Sequence, residues 1–495
     1  MPAPRRSKFQ IFVLYLPFVL VACLYLGFTL YQVQNVSYNG SGFAMALPLL
    51  ALLLAAAIGL MALHVHHPKL ALGLMLLAAL GVRLYLVLAL PTVPMSDFQH
   101  MFEAGLETAS GSLEWTHQTS TRYYFYRWGY QIPFALYEGL LLSIVPDMLI
   151  IKLADVLWMT LTALMIYRIV SRFTSSPMAL GAAFLYAVDP SCVYLVNMLS
   201  NQPLSTFLLL WGLDTLLRAK RPVGFLASGL LLALHQLIRP EGIIVLLAIG
   251  ACALYRIILC PKRALILKVL RNVLLVVACY VLATAGAEQL LIATDVAPSG
   301  IGNRRPEHRF AIGLNFSSHH GEYSSETSYI YKIEDEAERK AELRRFILEG
   351  FKSCDRPLSF FLRKISAYWT DGSPYYWLYH DMESPSLPFG LSTYDFYALL
   401  TTLELCLRAL VYGFTLLCLL YRLWRRQAEA LCQNPALLLC MAVIGCVFCA
   451  FLVLEVQPKY RYFVMPFLYC LMALLAPYRG VENIVRTDKI PTGSR

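Results

Sequence analysis

Asp97 stands in Pro94-Met95-Ser96-Asp97-Phe98, directly after a hydrophobic stretch long enough to cross a bilayer, where the chain leaves lipid for water. A carboxylate there can be ionised, held on a rigid helix end and reached by a lipid-borne substrate. Other charges sit where a membrane does not explain them. Arg83 lies within the third hydrophobic segment and Asp189 near the end of the fifth. Arg239-Pro240-Glu241-Gly242 forms a charged turn between two apolar runs, and Glu455 precedes Pro458-Lys459-Tyr460-Arg461-Tyr462. An Arg or Asp near the centre of a membrane helix costs about 2.5–3.5 kcal/mol, so it normally has a partner or a water-filled cavity. With Glu103, Asn201 and Gln202, these residues predict several polar groups on one outer surface.

Each has a plainer reading. Arg83 can snorkel to the interface, and Asp189 before Pro190 can cap a turn. Lys459 and Arg461 can anchor at headgroup depth. Glu103 can be solvated on a loop helix, and Asp97 can be the N-cap of a helix starting at Phe98.

The elements that must position these residues are membrane spans. Hydrophobic residues make up 58% of the 495 and charged ones 15%, which excludes an ordinary soluble domain. Apolar runs predict an all-α polytopic membrane protein with about twelve spans, near 9–31, 43–63, 70–90, 149–170, 178–196, 204–217, 223–238, 243–258, 269–293, 396–420, 436–456 and 463–476. Arg5, Arg6, Lys8, Lys69, Arg168, Arg172, the Arg218–Arg221 and Arg256–Arg271 groups, Arg422–Arg426 and the tail from Arg479 fall on one side. By the positive-inside rule that side is cytoplasmic, as are both termini, and Asp97 faces out from the cell membrane. Topology thus accounts for much of the net charge of +10, and no nucleic-acid partner is called for.

Four regions follow: an N-terminal hairpin (1–69), a core (70–293) with a first outer loop at 91–148, an extracytoplasmic region (294–395) and the last helices with a tail (396–495). The first loop continues into an amphipathic stretch at 132–145. In the long loop, 333–350 carries opposite charges at helical spacing. Residues 357–369 are apolar and aromatic, which predicts a helix lying in the interface with Tyr368 and Trp369 among the headgroups. No disulfide framework is visible among the 13 cysteines, and Cys446-Val447-Phe448-Cys449 reads as helix packing. His64, His66 and His67 read as a solvated turn, with metal binding the minor alternative.

The order of motifs carries a resemblance: the span with Arg83, Ser96-Asp97-Phe98 with its outer amphipathic helix, Leu185-Tyr186-Ala187-Val188-Asp189-Pro190-Ser191, Leu199-Ser200-Asn201-Gln202-Pro203-Leu204, Leu237-Ile238-Arg239-Pro240-Glu241-Gly242 and Lys459-Tyr460-Arg461-Tyr462. From about Arg83 to Pro466 the chain resembles the GT-C superfamily of integral membrane glycosyltransferases. Within it the chain is most similar to the bacterial glycosyltransferase family 39, related to protein O-mannosyltransferases and lipid A aminoarabinose transferase.

The resemblance implies a GT-C fold and transfer of a sugar from a polyprenyl-phosphate donor to an acceptor hydroxyl on the outer face. The acceptor would be a cell-envelope polymer, a glycolipid or a protein. Asp97 would be the general base, and attack in line would invert the anomeric centre. Arg461 first, then Lys459, Arg239 and Arg83, would hold the donor phosphate. Glu103, Asp189, Gln202, Asn201, Glu241 and Glu455 are the candidates for an acceptor or metal site. The chain departs from the family where Phe98 replaces a second acid and Asn201-Gln202 an acidic turn. A divalent cation, Mg or Mn, is therefore left unassigned. The rival readings are a transporter or flippase of lipid-linked sugars and a catalytically silent relative that binds lipid phosphate.

Overall fold

The computed structural model describes residues 7–38, 42–120, 122–382 and 386–476; Arg5, Arg6 and the tail from Arg479 lie outside them. Among the described residues there is no strand, only an isolated bridge between Trp128 and Asn303. A helix stands at each of the twelve expected places. They are α1 (Lys8–Tyr38), α2 (Phe43–His66), α3 (Pro68–Ala89), α4 (Met148–Val170), α5 (Ser176–Val188), α6 (Gln202–Arg218), α7 (Pro222–Ile238), α8 (Gly242–Leu259), α9 (Arg263–Ala293), α10 (Thr393–Trp424), α11 (Pro435–Val453) and α12 (Met465–Leu475).

Eight of these are long and apolar enough to cross a membrane by themselves: α1–α4 and α8–α11. The expected fifth span is broken. α5 ends at Val188 and a second helical piece, Pro190–Asn197, departs at 65°. Proline cannot continue the hydrogen-bond ladder, and the Asp189 carboxylate accepts from the Ser191 amide at 2.8 Å, starting the new turn. The sequence assigned one continuous segment there.

The 11 residues of α12 reach only about 16 Å at 1.5 Å per residue, against a hydrocarbon core of about 30 Å. All of them are buried, because α10, α11, α5 and α4 surround them. α9 is the opposite case, a largely exposed apolar helix that buries only Val276 and Tyr280.

At the Asp97 end, the helix Asp97–Ala109 lies against the helix Ile132–Leu142. Small residues permit this contact. A Cβ on Gly139 would stand 2.6 Å from Thr108, and one on Gly105 would stand 3.1 Å from the Glu138 Cβ. In the long loop, the helices Glu336–Ser353 and Pro357–Trp369 form near the expected positions.

The second of these corrects an expectation. Tyr368 and Trp369 are buried inside the protein rather than exposed to headgroups. Tyr368 stacks on Phe451 at 4.3 Å and Trp369 on Phe28 at 4.6 Å, so this helix is clamped onto α11 and α1. At the opposite end of the bundle Asp214 is buried among Arg168, Arg172 and Arg218. None of the thirteen cysteines is in a disulfide.

Candidate active site

Ser96 adopts φ 57° and turns the chain into its helix, so Asp97 is the first helical residue and not the cap. The helix dipole favours a negative charge there, typically by 0.3–1 kcal/mol. The Asp97 carboxylate is exposed and acts electrostatically on the Tyr124 phenol. Burial, then this carboxylate, holds the Tyr124 phenol well above its ordinary range, so it stays a donor.

From Tyr124 a polar chain runs inward. Gln131 Nε2 reaches the Tyr124 hydroxyl at 3.5 Å, and Asn201 Nδ2 donates to Gln131 Oε1 at 3.2 Å. Arg239 donates to Asn201 Oδ1 at 2.9 Å and to Glu241 Oε1 at 2.7 Å. The Arg239 guanidinium lies 5.8 Å from the Tyr460 ring centre, and that of Arg309 lies 5.5 Å from the same ring. Arg309 pairs with Glu455 at 3.6 Å and donates to the Tyr130 hydroxyl at 3.1 Å. The Lys459 ammonium sits over Trp377 at 4.7 Å and over Phe98 at 5.7 Å. Burial pushes that ammonium below the usual lysine range; Asp97 and Glu455 oppose the shift, and Arg239 and Arg309 add to it. Asp97, Asn201, Arg239, Glu241, Glu455 and Lys459 are therefore brought together.

Five other candidates are not. Arg461 was expected to lead phosphate binding, yet it is fully buried and committed to protein groups. It pairs with Glu404 at 3.1 Å and donates to the carbonyls of Tyr368 (2.8 Å) and Asp371 (2.9 Å). Lys459 and Arg461 share the 3₁₀ turn Pro458–Phe463. With three residues per turn, side chains two apart point in different directions, so one cation faces the open cluster and the other the interior.

Arg83 does not snorkel. It is buried, donates to the Ala79 carbonyl at 2.9 Å and is in electrostatic contact with Tyr186, Cys192 and Asp189. Asp189 is buried too and accepts from the Tyr469 hydroxyl at 2.6 Å as well as from Ser191. Glu103 is exposed one turn along its helix and accepts from Gln99 at 2.8 Å. Gln202 is buried with its side-chain oxygen unpartnered.

Five residues escaped the sequence reading. Tyr124, Tyr130 and Arg309 come from loops without periodicity to mark them. Glu404 and its neighbour Arg408, an acid and a base four apart in an apolar helix, were a legible signal. Glu404 also accepts from the Ser373 amide (2.8 Å), the Ser373 hydroxyl (2.9 Å) and the Tyr375 hydroxyl (2.8 Å).

The donor set does not fit a divalent cation. Glu241 and Glu455 are each bound to an arginine. Among the described residues no three of His, Cys, Asp and Glu gather as metal ligands. His64 is buried against Tyr167 at 3.0 Å, while His66 and His67 are exposed.

An apolar groove of about 480 Å³ runs between α8 and α11, lined by Ile244, Leu247, Ala442, Gly445, Cys446, Cys449 and Ala450. Its two walls begin at the Arg239–Glu241 turn and at the segment carrying Glu455 and Lys459.

Residues 138–286 match the family model of dolichyl-phosphate-mannose-protein mannosyltransferase. No curated protein matches the chain. Among solved structures it is similar to the oligosaccharyltransferase of Archaeoglobus fulgidus in the apo form, at 12% identity and a TM-score of 0.42, over 82% of this chain and 50% of that one. It is also similar to AglB of the same organism in complex with an inhibitory peptide and a dolichol-phosphate, at 13% identity and a TM-score of 0.43, over 83% of this chain and 50% of that one. The chain thus spans about half the length of the solved relatives.

Proposed function

We propose that this chain is a GT-C-type membrane glycosyltransferase, which moves a sugar from a polyprenyl-phosphate donor to an acceptor hydroxyl at the outer face of the cell membrane. The match over residues 138–286 to a lipid-phosphate-sugar transferase family supports the reaction class. One observation carries the residue roles: exposed Asp97 lies within electrostatic reach of Lys459, which with Arg239 and Arg309 frames the Tyr460 ring.

In this reading the polyprenyl chain lies along the groove between α8 and α11, and its phosphate meets Lys459, Arg239 and Arg309. The Asp97 carboxylate takes the proton of the acceptor hydroxyl. The acceptor oxygen then bonds to the anomeric carbon as the carbon–oxygen bond to phosphate breaks, and attack from the opposite face inverts the centre. The leaving phosphate keeps the electron pair, and the three cations stabilise the charge it gains. Asp97 finally releases its proton to water.

The test is to incubate purified protein with a panel of polyprenyl-phosphate sugars and follow hydrolysis or transfer. Turnover of one donor, lost in Asp97→Asn with folding intact, is the expected result. Lipid movement between leaflets without cleavage would favour the flippase instead. Binding without either would leave a silent relative.

A further inference from the structure

Beside the reaction centre lies a surface of rings and cations that the donor chemistry does not use. Trp128, Tyr130 and Tyr331 are half-buried. The Trp128 ring centre lies 6.4 Å from each of the two tyrosines and 5.7 Å from His308. The surface is continuous with the centre, because Tyr130 bonds to Arg309, whose guanidinium covers Tyr460.

The arginines here differ in their commitments. Arg305 pairs with Glu334 at 3.2 Å, and Arg304 donates to the Tyr126 carbonyl at 2.7 Å while lying 4.3 Å from that residue's ring. Arg127 stands over Tyr331 at 5.2 Å with its Nε enclosed and unpartnered, and among the described residues no carboxylate engages it. Burial, with Arg309 and Arg127 nearby, pushes His308 down to about 4, so that ring is neutral. Arg304 is held by the Tyr126 and Ser299 carbonyls, so among the described residues Arg127 is the arginine of the patch with neither a carboxylate nor a carbonyl on its guanidinium.

Sugars present an apolar C–H face that settles on the negative face of an aromatic ring. An unpaired guanidinium takes a carboxylate or phosphate through two parallel hydrogen bonds. We propose that Trp128, Tyr130, Tyr331 and Arg127 form a binding site for an anionic carbohydrate, a glycan bearing uronic acid or phosphate. On the transferase reading, on which this role rests, that glycan is the acceptor. The half-buried rings packed against the 303–331 loop favour a glycan over a lipid headgroup.

The test uses full-length protein in nanodiscs, with hexagalacturonate and neutral maltohexaose as probes in titration calorimetry. Hexagalacturonate is expected to bind at least tenfold more tightly than maltohexaose, and Arg127→Gln to abolish that preference. Trp128→Ala is expected to weaken both probes tenfold or more. Trp128→Phe, which keeps a ring, is expected to retain binding and so separates loss of stacking from loss of fold. Equal affinity for the two probes, or unchanged binding in Trp128→Ala, overturns the proposal. Displacement of hexagalacturonate by phosphatidylglycerol vesicles, but not by phosphatidylcholine ones, overturns it in favour of a lipid surface. Wild-type protein that binds hexagalacturonate as expected, yet turns over no lipid-phosphate sugar, keeps the carbohydrate site and removes the transferase reading.

Discussion

Two clusters of charge meet at the turn 458–463, and they are built on opposite principles. Arg461 points into a closed network in which Glu404 accepts from two arginines, a tyrosine, a serine hydroxyl and a backbone amide. Two residues earlier, Lys459 points into an open cluster where it lies over aromatic faces, with Asp97 and Glu455 acting on it electrostatically. Charges enclosed by protein must satisfy one another, since a buried ion left alone is very costly. Charges at an open mouth can be left for a ligand. The comparison makes Arg461 a structural residue and leaves Lys459 as the cation a ligand could meet, although the two stand in the same short motif.

The sharpest way to break this contrast is to remove the centre of the closed network. Glu404→Leu leaves Arg408 and Arg461 buried without their carboxylate, which is expected to cost about 3–5 kcal/mol. Thermal unfolding in detergent should show a large fall in Tm, and residual activity should track the folded fraction. A variant with normal Tm and lost turnover would move Glu404 into the chemistry.

Next in size is Lys459→Met. A hydrogen bond to a charged group is worth about 1.5–3 kcal/mol, so KM for the lipid-phosphate donor should rise roughly 10- to 100-fold while Tm is nearly unchanged. Arg461→Met should show the reverse pattern.

The open cluster should also respond to alkali. Burial lowers the Lys459 pKa against Asp97 and Glu455, with Arg239 and Arg309 reinforcing it. Its positive charge is therefore lost below the usual lysine range, and donor KM should climb as pH rises toward that range. Lys459→Arg should remove this limb, because a guanidinium stays charged.

The smallest expected effect lies at Lys364, buried behind the cluster and bonded to the Gly313 carbonyl. Burial pushes its ammonium down to about 7 from an ordinary value near 10.5. Folding then favours the neutral form. This group's penalty is absent above the unfolded value, grows as pH falls from about 10.5 to about 7, and is complete below. Wild-type Tm relative to Lys364→Met should therefore be higher at pH 9 than at pH 7, and a flat difference would contradict the burial.

Much of this was legible in the chain. Helix positions followed from apolar runs, because a membrane segment must satisfy its own backbone and cover the hydrocarbon core. Asp97, Arg239, Glu241, Asn201 and Lys459 were legible because each interrupts or bounds such a run. What failed has physical causes. Arg461 outranked Lys459 on phosphate geometry alone, and a short 3₁₀ turn gives no periodicity from which to judge which side chain faces inward. Tyr368 and Trp369 look like an interfacial belt in composition, yet α1 and α11 offered rings to stack on. Arg309 came from a long loop whose fold depends on contacts far away in sequence, so nothing local announced it.

The central claim is that Asp97 acts on the acceptor while the neighbouring cations hold the donor. Its most direct measurement compares wild type and Asp97→Asn for both binding and transfer of the same polyprenyl-phosphate sugar. General-base catalysis contributes about 10²–10⁴-fold, so transfer should fall by that factor while donor affinity stays within a few-fold and Tm is preserved. Transfer at the wild-type rate in Asp97→Asn would contradict the account.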